Sequence, residues 1–353
     1  MTHILVTGGS GFIGTNFIHF VRQHRPDWHV VNLDALTYAG NPANHHHLEK
    51  DPWYTFVHGD ICDKDLVGSL FGRYRFDGVF HFAAESHVDR SITGPEVFVK
   101  TNVNGTFRLL EAALAHVRKH PENAFRFVHV STDEVYGSLG FDDPAFTEAT
   151  AYDPSSPYSA SKAASDHFVK AYHKTYGLPV VVTNCSNNYG PFQFPEKLIP
   201  LMVLNCLDGK PLPVYGKGKN IRDWLYVADH CDALTRVFEN GGNGETYNIG
   251  GGEEKTNLEV VETICDLVDD KTGNPRGGSR ERITFVMDRP GHDLRYAINP
   301  DKAFEKIGFQ ASHTFEQALS ATIDWYLENM DWVKSVQTGA YREWIRTQYE
   351  SLP

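Results

Sequence analysis

Cysteine is scarce and scattered. Five occur in 353 residues, at Cys62, Cys185, Cys206, Cys231 and Cys265. The count is odd and no pair has CxxC spacing, which argues against a disulfide framework or a cysteine zinc site and for a reducing compartment. Long apolar runs are missing too: no stretch of about eighteen residues is apolar enough for a membrane span. Positive charge is in deficit, with 33 Lys and Arg against 45 Asp and Glu and a formal net charge of −12. Such a chain is a poor ligand for nucleic acid or an anionic membrane. The one basic stretch, Arg276-Gly277-Gly278-Ser279-Arg280-Glu281-Arg282, lies between a helix-like and a strand-like segment and reads as a solvated loop. A strand-like run begins at once (His3-Ile4-Leu5-Val6-Thr7), so no signal peptide is expected and the cytoplasm is the expected location.

What remains is ordinary soluble composition, 41% apolar and 22% charged, over a length that suits two domains. The first strand runs into Gly8-Gly9-Ser10-Gly11-Phe12-Ile13-Gly14. A helical pattern follows, with Phe12, Ile13, Phe17, Phe20 and Val21 on its apolar side. The glycines fit GxGxxG and GxxGxxG equally, and they sit between strand and helix, where a dinucleotide fingerprint belongs. There the backbone approaches a pyrophosphate and the helix N-terminus stabilises it. A second strand (His29–Asp34) ends on Asp34, placed to accept hydrogen bonds from adenosine ribose hydroxyls and to repel a 2′-phosphate, which favours NAD over NADP.

The alternation continues. A strand-like run from Trp53 to His58 leads to Gly59-Asp60-Ile61, a plausible adenine contact. Another, from Gly78 to Phe82, ends in Ala83-Ala84, small enough to let backbone pass beside a cofactor. Between Asn102 and His120, the residues Val103, Phe107, Leu110, Leu114 and Val117 form a narrow apolar seam, meaning either core burial or a helical dimer interface. Strand, helix, strand, helix in this order implies a parallel, doubly wound α/β sheet. His45-His46-His47 is not expected to bind metal, because three consecutive side chains do not converge on one face.

Phe125–Val130 reads as a buried strand, and Thr132, Asp133 and Glu134 stand where it ends. Ligands of an open parallel sheet bind outside the carboxyl ends of its strands. Adjacent carboxyls there suit a reaction needing a proton donor and a proton acceptor; a polar strand-to-loop junction is the plainer meaning. Downstream, Pro157 and neighbouring serines start a helix carrying Tyr158 and Lys162, four apart and so on one face. A nearby ammonium favours phenolate, bringing a poor base towards working pH.

Together these residues resemble the extended short-chain dehydrogenase/reductase family, and within it the nucleotide-sugar 4,6-dehydratases. The likeness is carried by Thr132-Asp133-Glu134-Val135-Tyr136-Gly137 and by five further stretches: 83–91 (Ala-Ala-Glu-Ser-His-Val-Asp-Arg-Ser), 184–191 (Asn-Cys-Ser-Asn-Asn-Tyr-Gly-Pro), 194–200 (Phe-Pro-Glu-Lys-Leu-Ile-Pro), 222–225 (Arg-Asp-Trp-Leu) and 288–293 (Asp-Arg-Pro-Gly-His-Asp). It runs from Ile4 to about Tyr326. It implies a Rossmann-type NAD domain over 1–186, to which the chain returns near 224–250. A smaller α/β nucleotide-sugar domain would span 187–223 and 251–330, and 331–353, with Trp332, Tyr341 and Trp344, would be a helical tail.

The resemblance also implies roles. Tyr158 removes the C4 hydroxyl proton as the sugar is oxidised by NAD; Thr132 bonds the same oxygen and Lys162 tunes Tyr158. Glu134 takes the C5 proton and Asp133 protonates the departing C6 hydroxyl, so Asp133 must be neutral while Glu134 is charged. Leu36, Thr37, Ser86, Thr101 and Asn188 join Gly8, Gly11, Phe12, Ile13, Gly14, Asp34, Asp60, Ile61, Ala83 and Ala84 around NAD. Lys197, Arg222 and Arg289 are cations for a diphosphate. Ser86, His87, Asn187, Glu196, Leu198, Pro213, Tyr215, Asn257 and His292 correspond to sugar, phosphate or base contacts. The closeness of the motifs points to dTDP-glucose, with UDP-, CDP- or GDP-sugars as alternatives. A 4-epimerase would need no acid–base pair at 133–134, and a non-catalytic NAD sensor would not need Tyr158 and Lys162. The resemblance implies a homodimer, its Asn102 and Tyr158 helices pairing across the axis.

Overall fold

The computed structural model describes residues 2–288 and 291–337. In chain order the elements are β1 (Thr2–Thr7), α1 (Phe12–His24), β2 (Trp28–Asp34), β3 (Tyr54–His58), α2 (Lys64–Arg73), β4 (Gly78–His81), α3 (Val88–Thr93), α4 (Glu96–Phe98), α5 (Thr106–Lys119), β5 (Arg126–Thr132) and α6 (Pro157–Tyr176). They continue with β6 (Val180–Cys185), β7 (Asn187–Tyr189), α7 (Leu198–Leu207), β8 (Leu212–Tyr215), β9 (Ile221–Tyr226), α8 (Val227–Asn240), β10 (Thr246–Ile249), β11 (Glu254–Thr256), α9 (Asn257–Thr272), β12 (Ile283–Val286), α10 (Asp301–Ile307), α11 (Phe315–Glu328) and α12 (Met330–Val336). Short tight turns of helix occupy Pro42–Leu48, Asp133–Tyr136 and Gly278–Arg282.

Seven strands form one all-parallel sheet in the order β10-β6-β5-β4-β1-β2-β3. Side chains alternate across each strand, so both faces need cover. Ile4, Val6, Val30, Phe80, Val128 and Val181 pack on one face with Phe17, Ile18 and Val21 of α1 and Cys231, Leu234 and Val237 of α8. Leu5, Val31, Val79, Phe127, Val180 and Val182 pack on the other with α2, α5 and α6. From β1 the chain winds outward to β2 and β3, then returns to β4 and winds the opposite way. That reversal opens a crevice at the carboxyl ends of β1 and β4.

A separate core gathers α7, α9 and α11 around Tyr189, Leu212, Val214, Trp224 and Phe315. It is accompanied by a three-stranded sheet, β11-β9-β7, and a parallel pair, β12-β8. Capping boxes start α6 (Ser156 with Ser159), α9 (Thr256 with Glu259) and α11 (Thr314 with Gln317), satisfying first-turn N–H groups.

The helix expected from Asn102 to His120 is two segments: a wider-wound turn over Val99–Gly105, then α5. Leu110 and Leu114 of the seam are buried, whereas Val103, Phe107 and Val117 are half-buried, and the core-facing set also includes Leu109 and Ala113. The basic stretch at 276–282, expected as a solvated loop, has exposed and paired arginines, Arg280 with Asp266 and Glu262 and Arg276 with Asp270, but it includes the short turn of helix at Gly278–Arg282 and buries Ser279. Arg289, Tyr341 and Trp344 lie outside the described residues. Among the described residues no helix is long and apolar enough to cross a membrane.

Candidate active site

The crevice is a cleft of about 340 Å³ at the carboxyl ends of β1, β2, β4, β5 and β6. Its floor is the glycine loop. Gly8 has φ +72°, and a Cβ there would lie 2.6 Å from the Ala83 nitrogen. A Cβ on Gly14 would lie 2.3 Å from the Gly8 carbonyl oxygen. Gly11 faces the opening, where a Cβ would meet only the Gly8 oxygen at 3.4 Å. It precedes α1 with no side-chain cap, so the first N–H groups of that helix point into a cradle that any side chain would fill. Asp34 closes the end of β2, its two oxygens accepting from the backbone nitrogens of Ser10 and Leu36, each at 2.8 Å. Leu36 is left-handed (φ +50°), which turns residues 37–40 over the cleft. This bare helix start and fixed carboxylate fit the pyrophosphate and ribose of a dinucleotide.

The glycine loop is braced from below by the turn at Pro42–Leu48. Asn44 donates to the Ser10 carbonyl (3.3 Å) and the Thr15 hydroxyl (2.9 Å), and His45 Nε2 lies 2.8 Å from the Gly9 carbonyl. Burial pushes His45 down to about 4, so it is neutral. His46 and His47 are exposed, and no metal-holding cluster occurs among the described residues. The Trp332 indole donates to Asn44 at 2.7 Å, so α12 reaches this brace too.

At the end of β5, Asp133 is 2% exposed. Its Oδ1 accepts from the Thr132 hydroxyl at 3.3 Å, and its Oδ2 has no hydrogen-bond partner among the described residues. Burial, reinforced by the charges of Glu134 and Asp223, holds this carboxyl well above the usual range, so it keeps its proton. Glu134, next along the turn, is only half-buried. Gly137 ends the turn at φ +93°, where a Cβ would come within 2.6 Å of the Asp153 carbonyl oxygen.

Tyr158 and Lys162 project from α6 into the same cleft. Lys162 Nζ donates to the Val130 carbonyl at 2.8 Å, and burial pulls its ammonium below the usual lysine range. Burial first and the Glu134 charge second push the Tyr158 phenol well above the usual tyrosine range. This differs from the expected lowering by Lys162. The ammonium is directed at a main-chain carbonyl, and desolvation beside carboxylates outweighs it.

Gly8, Gly11, Phe12, Ile13, Gly14, Asp34, Thr37, Asp60, Ile61, Ala83, Ala84, Ser86, Thr101, Thr132, Asp133, Glu134, Tyr158, Lys162, Asn187, Asn188, Glu196 and Lys197 all line the cleft. Lys197 donates to the Ser86 carbonyl at 3.2 Å. Leu36, His87, Leu198, Pro213, Tyr215, Arg222, Asn257 and His292 lie outside its wall. His87 sits 3.8 Å from Glu196, which also accepts from Arg90 at 3.1 Å. Arg222, on β9, donates to the Ile221 and Asp293 carbonyls (2.7 and 3.0 Å) and stacks on Tyr296 at 4.3 Å. Pro213 and Tyr215 lie on β8, and His292 is near the Tyr215 ring, 2.6 Å from Asp288. Sequence reasoning missed Tyr38, which also lines the cleft, with Arg90 4.1 Å above its ring and Phe194 against its edge. Its position four residues after Asp34 was the available signal.

A family model described as GDP-mannose 4,6 dehydratase matches residues 5–322. A dTDP-glucose 4,6-dehydratase of Salmonella typhimurium is 54% identical over 98% of this chain and 99% of its own length. The crystal structure of dTDP-glucose 4,6-dehydratase from Bacillus anthracis, in complex with NAD, is 48% identical, covers 95% of this chain and 100% of its own, and superposes with a TM-score of 0.85. A UDP-glucose 4-epimerase of Thermus thermophilus, in complex with NAD, shares the fold at 28% identity, with a TM-score of 0.82 over 93% of this chain and 100% of its own.

Proposed function

We infer the reaction from the premise that this chain belongs to the nucleotide-sugar 4,6-dehydratases of the extended short-chain dehydrogenase/reductase family, and propose that it converts dTDP-glucose to dTDP-4-dehydro-6-deoxyglucose and water. The observation that carries this reading is the pair at the end of β5: a buried Asp133, whose carboxyl burial holds above the usual range, beside a half-buried Glu134. Two adjacent carboxyls in unlike environments suit one acid and one base acting on neighbouring carbons. A 4-epimerase has no use for that pair.

In this reading the cradle of Gly8, Gly11 and Gly14, with Asp34, holds NAD, while Tyr158 and Lys162 flank its reactive end. Bound NAD supplies the oxidation at C4 and the later reduction at C6, and so is regenerated. Tyr158 accepts the C4 hydroxyl proton as phenolate, the form that the Lys162 charge and the Thr132 hydroxyl favour and that burial and the neighbouring carboxylates oppose in the cleft. Once C4 is a ketone, the C5 proton is acidic and Glu134 removes it. Asp133 gives its proton to the C6 hydroxyl, which leaves as water. Lys197 and Arg222 offer cations to the diphosphate, with Arg289 as a third.

The division into an NAD-binding part (1–186 with 224–250) and a sugar-nucleotide part (187–223 with 251–330) fits the placement of β10 in the seven-stranded sheet and of α7 and α9 in the separate core. Cytoplasmic location and homodimerisation belong to the same proposal. Val99, Phe168 and Tyr176, 53%, 41% and 50% exposed, lie on the face that a second copy would cover. Sedimentation giving only monomer at micromolar protein refutes the dimer.

The test mixes purified protein with dTDP-glucose, with no added cofactor, and follows the alkali-induced absorbance of a 4-keto-6-deoxy product. UDP- and GDP-sugars run in parallel. Product from dTDP-glucose supports the reading and retained, recycled NAD. Turnover only with another base keeps the chemistry and changes the substrate, and epimerised sugar without a keto product overturns the roles of Asp133 and Glu134.

A further inference from the structure

One face of α6 carries more than Tyr158 and Lys162. Asp166 follows Lys162 by four residues, and Lys170 follows by four more, so phenol, ammonium, carboxylate and ammonium form a ladder along one side of the helix. Asp166 is 0% exposed. The Ser131 hydroxyl (2.9 Å) and the Tyr152 hydroxyl (3.0 Å) donate to its Oδ2, and His129 Nε2 lies 3.0 Å from its Oδ1. Two successive residues of β5 are therefore bonded to this stripe, the Ser131 hydroxyl to Asp166 and the Val130 carbonyl to Lys162, and the His129 ring lies beside Asp166. A carboxylate buried this deeply beneath a reacting pair is costly unless a buried cation matches it.

We propose that Asp166 is a positioning residue of the site, the buried anion that keeps Lys162 an ammonium and so keeps Tyr158 competent as a base. The proposal rests on the reading of Tyr158 as the base that opens the reaction. Of the groups favouring the charged form of Lys162, Asp166 leads, ahead of Cys185. The other groups facing this stripe do not substitute for it. His81 of β4 and His129 of β5 are held neutral by burial, and both lie near Lys162. Tyr152 keeps its proton, pushed up by burial and by Asp166 itself. Lys170, at the far end, donates to the Tyr152 hydroxyl at 3.2 Å and is a further cation. The Asn184 amide bonds Tyr136 and Tyr152 and carries no charge.

Asp166→Asn keeps the shape and removes the charge. The expected result is a kcat about 10- to 100-fold lower at neutral pH, KM within about threefold, and the alkaline limb of the kcat profile moved down by about one pH unit, because Lys162 then loses its proton earlier. A kcat profile of unchanged shape overturns the proposal. A second measurement needs no activity, so it separates failure of the proposal from failure of the proposed reaction. Asp166→Asn and Lys162→Met should each lower Tm, and the double variant should lie nearer the wild type than either, since each single change strands a buried charge. Strictly additive losses of Tm overturn the pairing.

Discussion

Replacing Asp133 by asparagine separates two halves of the proposed reaction. Asparagine has the shape of the protonated carboxyl, its Oδ1 can still accept from Thr132, and the atom replacing Oδ2 enters a spot without partners among the described residues. What it cannot do is release a proton to a leaving hydroxyl. General acid catalysis contributes roughly 10²- to 10⁴-fold, or about 3–5 kcal/mol of barrier at about 1.4 kcal/mol per tenfold. The variant should therefore form the keto-sugar product slower by that factor. C4 oxidation does not use Asp133, so mixing with dTDP-glucose should still give a burst of reduced nicotinamide, read by its near-ultraviolet absorbance. The stability consequence has a definite sign. Because burial raises the Asp133 carboxyl, its contribution to stability is complete below the ordinary carboxylate range and is lost as pH rises through the elevated value. Asparagine is neutral throughout, so Tm of the variant minus Tm of the wild type should grow as pH rises above about 4. Product formation at the wild-type rate, or a Tm difference that shrinks with pH, refutes the assignment.

Glu134→Gln should retain the nicotinamide burst and lose exchange of the C5 proton with solvent deuterium, measured by NMR; full exchange removes Glu134 as the base. Gly14→Ala places a methyl group 2.3 Å from the Gly8 carbonyl oxygen. It should cost about 1–3 kcal/mol in urea unfolding and leave the purified protein depleted of NAD. Asn44→Ala removes donors to Ser10 and Thr15 and an acceptor for Trp332. A loss of about 1–3 kcal/mol is expected, with faster release of NAD from a loosened glycine loop.

Local signals made much of the fold legible. The glycine loop, the acid ending β2, the Pro and Ser start of α6 and the apolar strands are written in adjacent residues, because each depends on backbone geometry within a few positions. The i, i+4 spacing of Tyr158 and Lys162 was readable for the same reason. Asp166 was not, although it continues that spacing, since a carboxylate on a helix ordinarily faces solvent and only the packing of α6 on β5 buries it. The brace formed by Asn44 and His45 was equally hidden, because its partners are backbone groups of the glycine loop more than thirty residues away. The widened turn at Val99–Gly105 sets Val103 off from the rest of the seam, whose other four residues share the regular α5 and pack in or against the core. The ionisation of Tyr158 was misjudged because pairing with Lys162 is local, whereas desolvation is a property of the assembled cleft.

The bond from Trp332 to Asn44 spans 288 residues. During synthesis the segment carrying the glycine loop emerges early, but the last support of its brace follows after roughly 15–60 s of elongation at about 5–20 residues per second. The last strand of the seven-stranded sheet, β10, ends at Ile249, so even a chain that has made every strand of that sheet still lacks a finished dinucleotide cradle. Capture of NAD thus becomes a late event of biogenesis, and a chain stalled before α12 should be retained poorly by an immobilised nicotinamide dinucleotide.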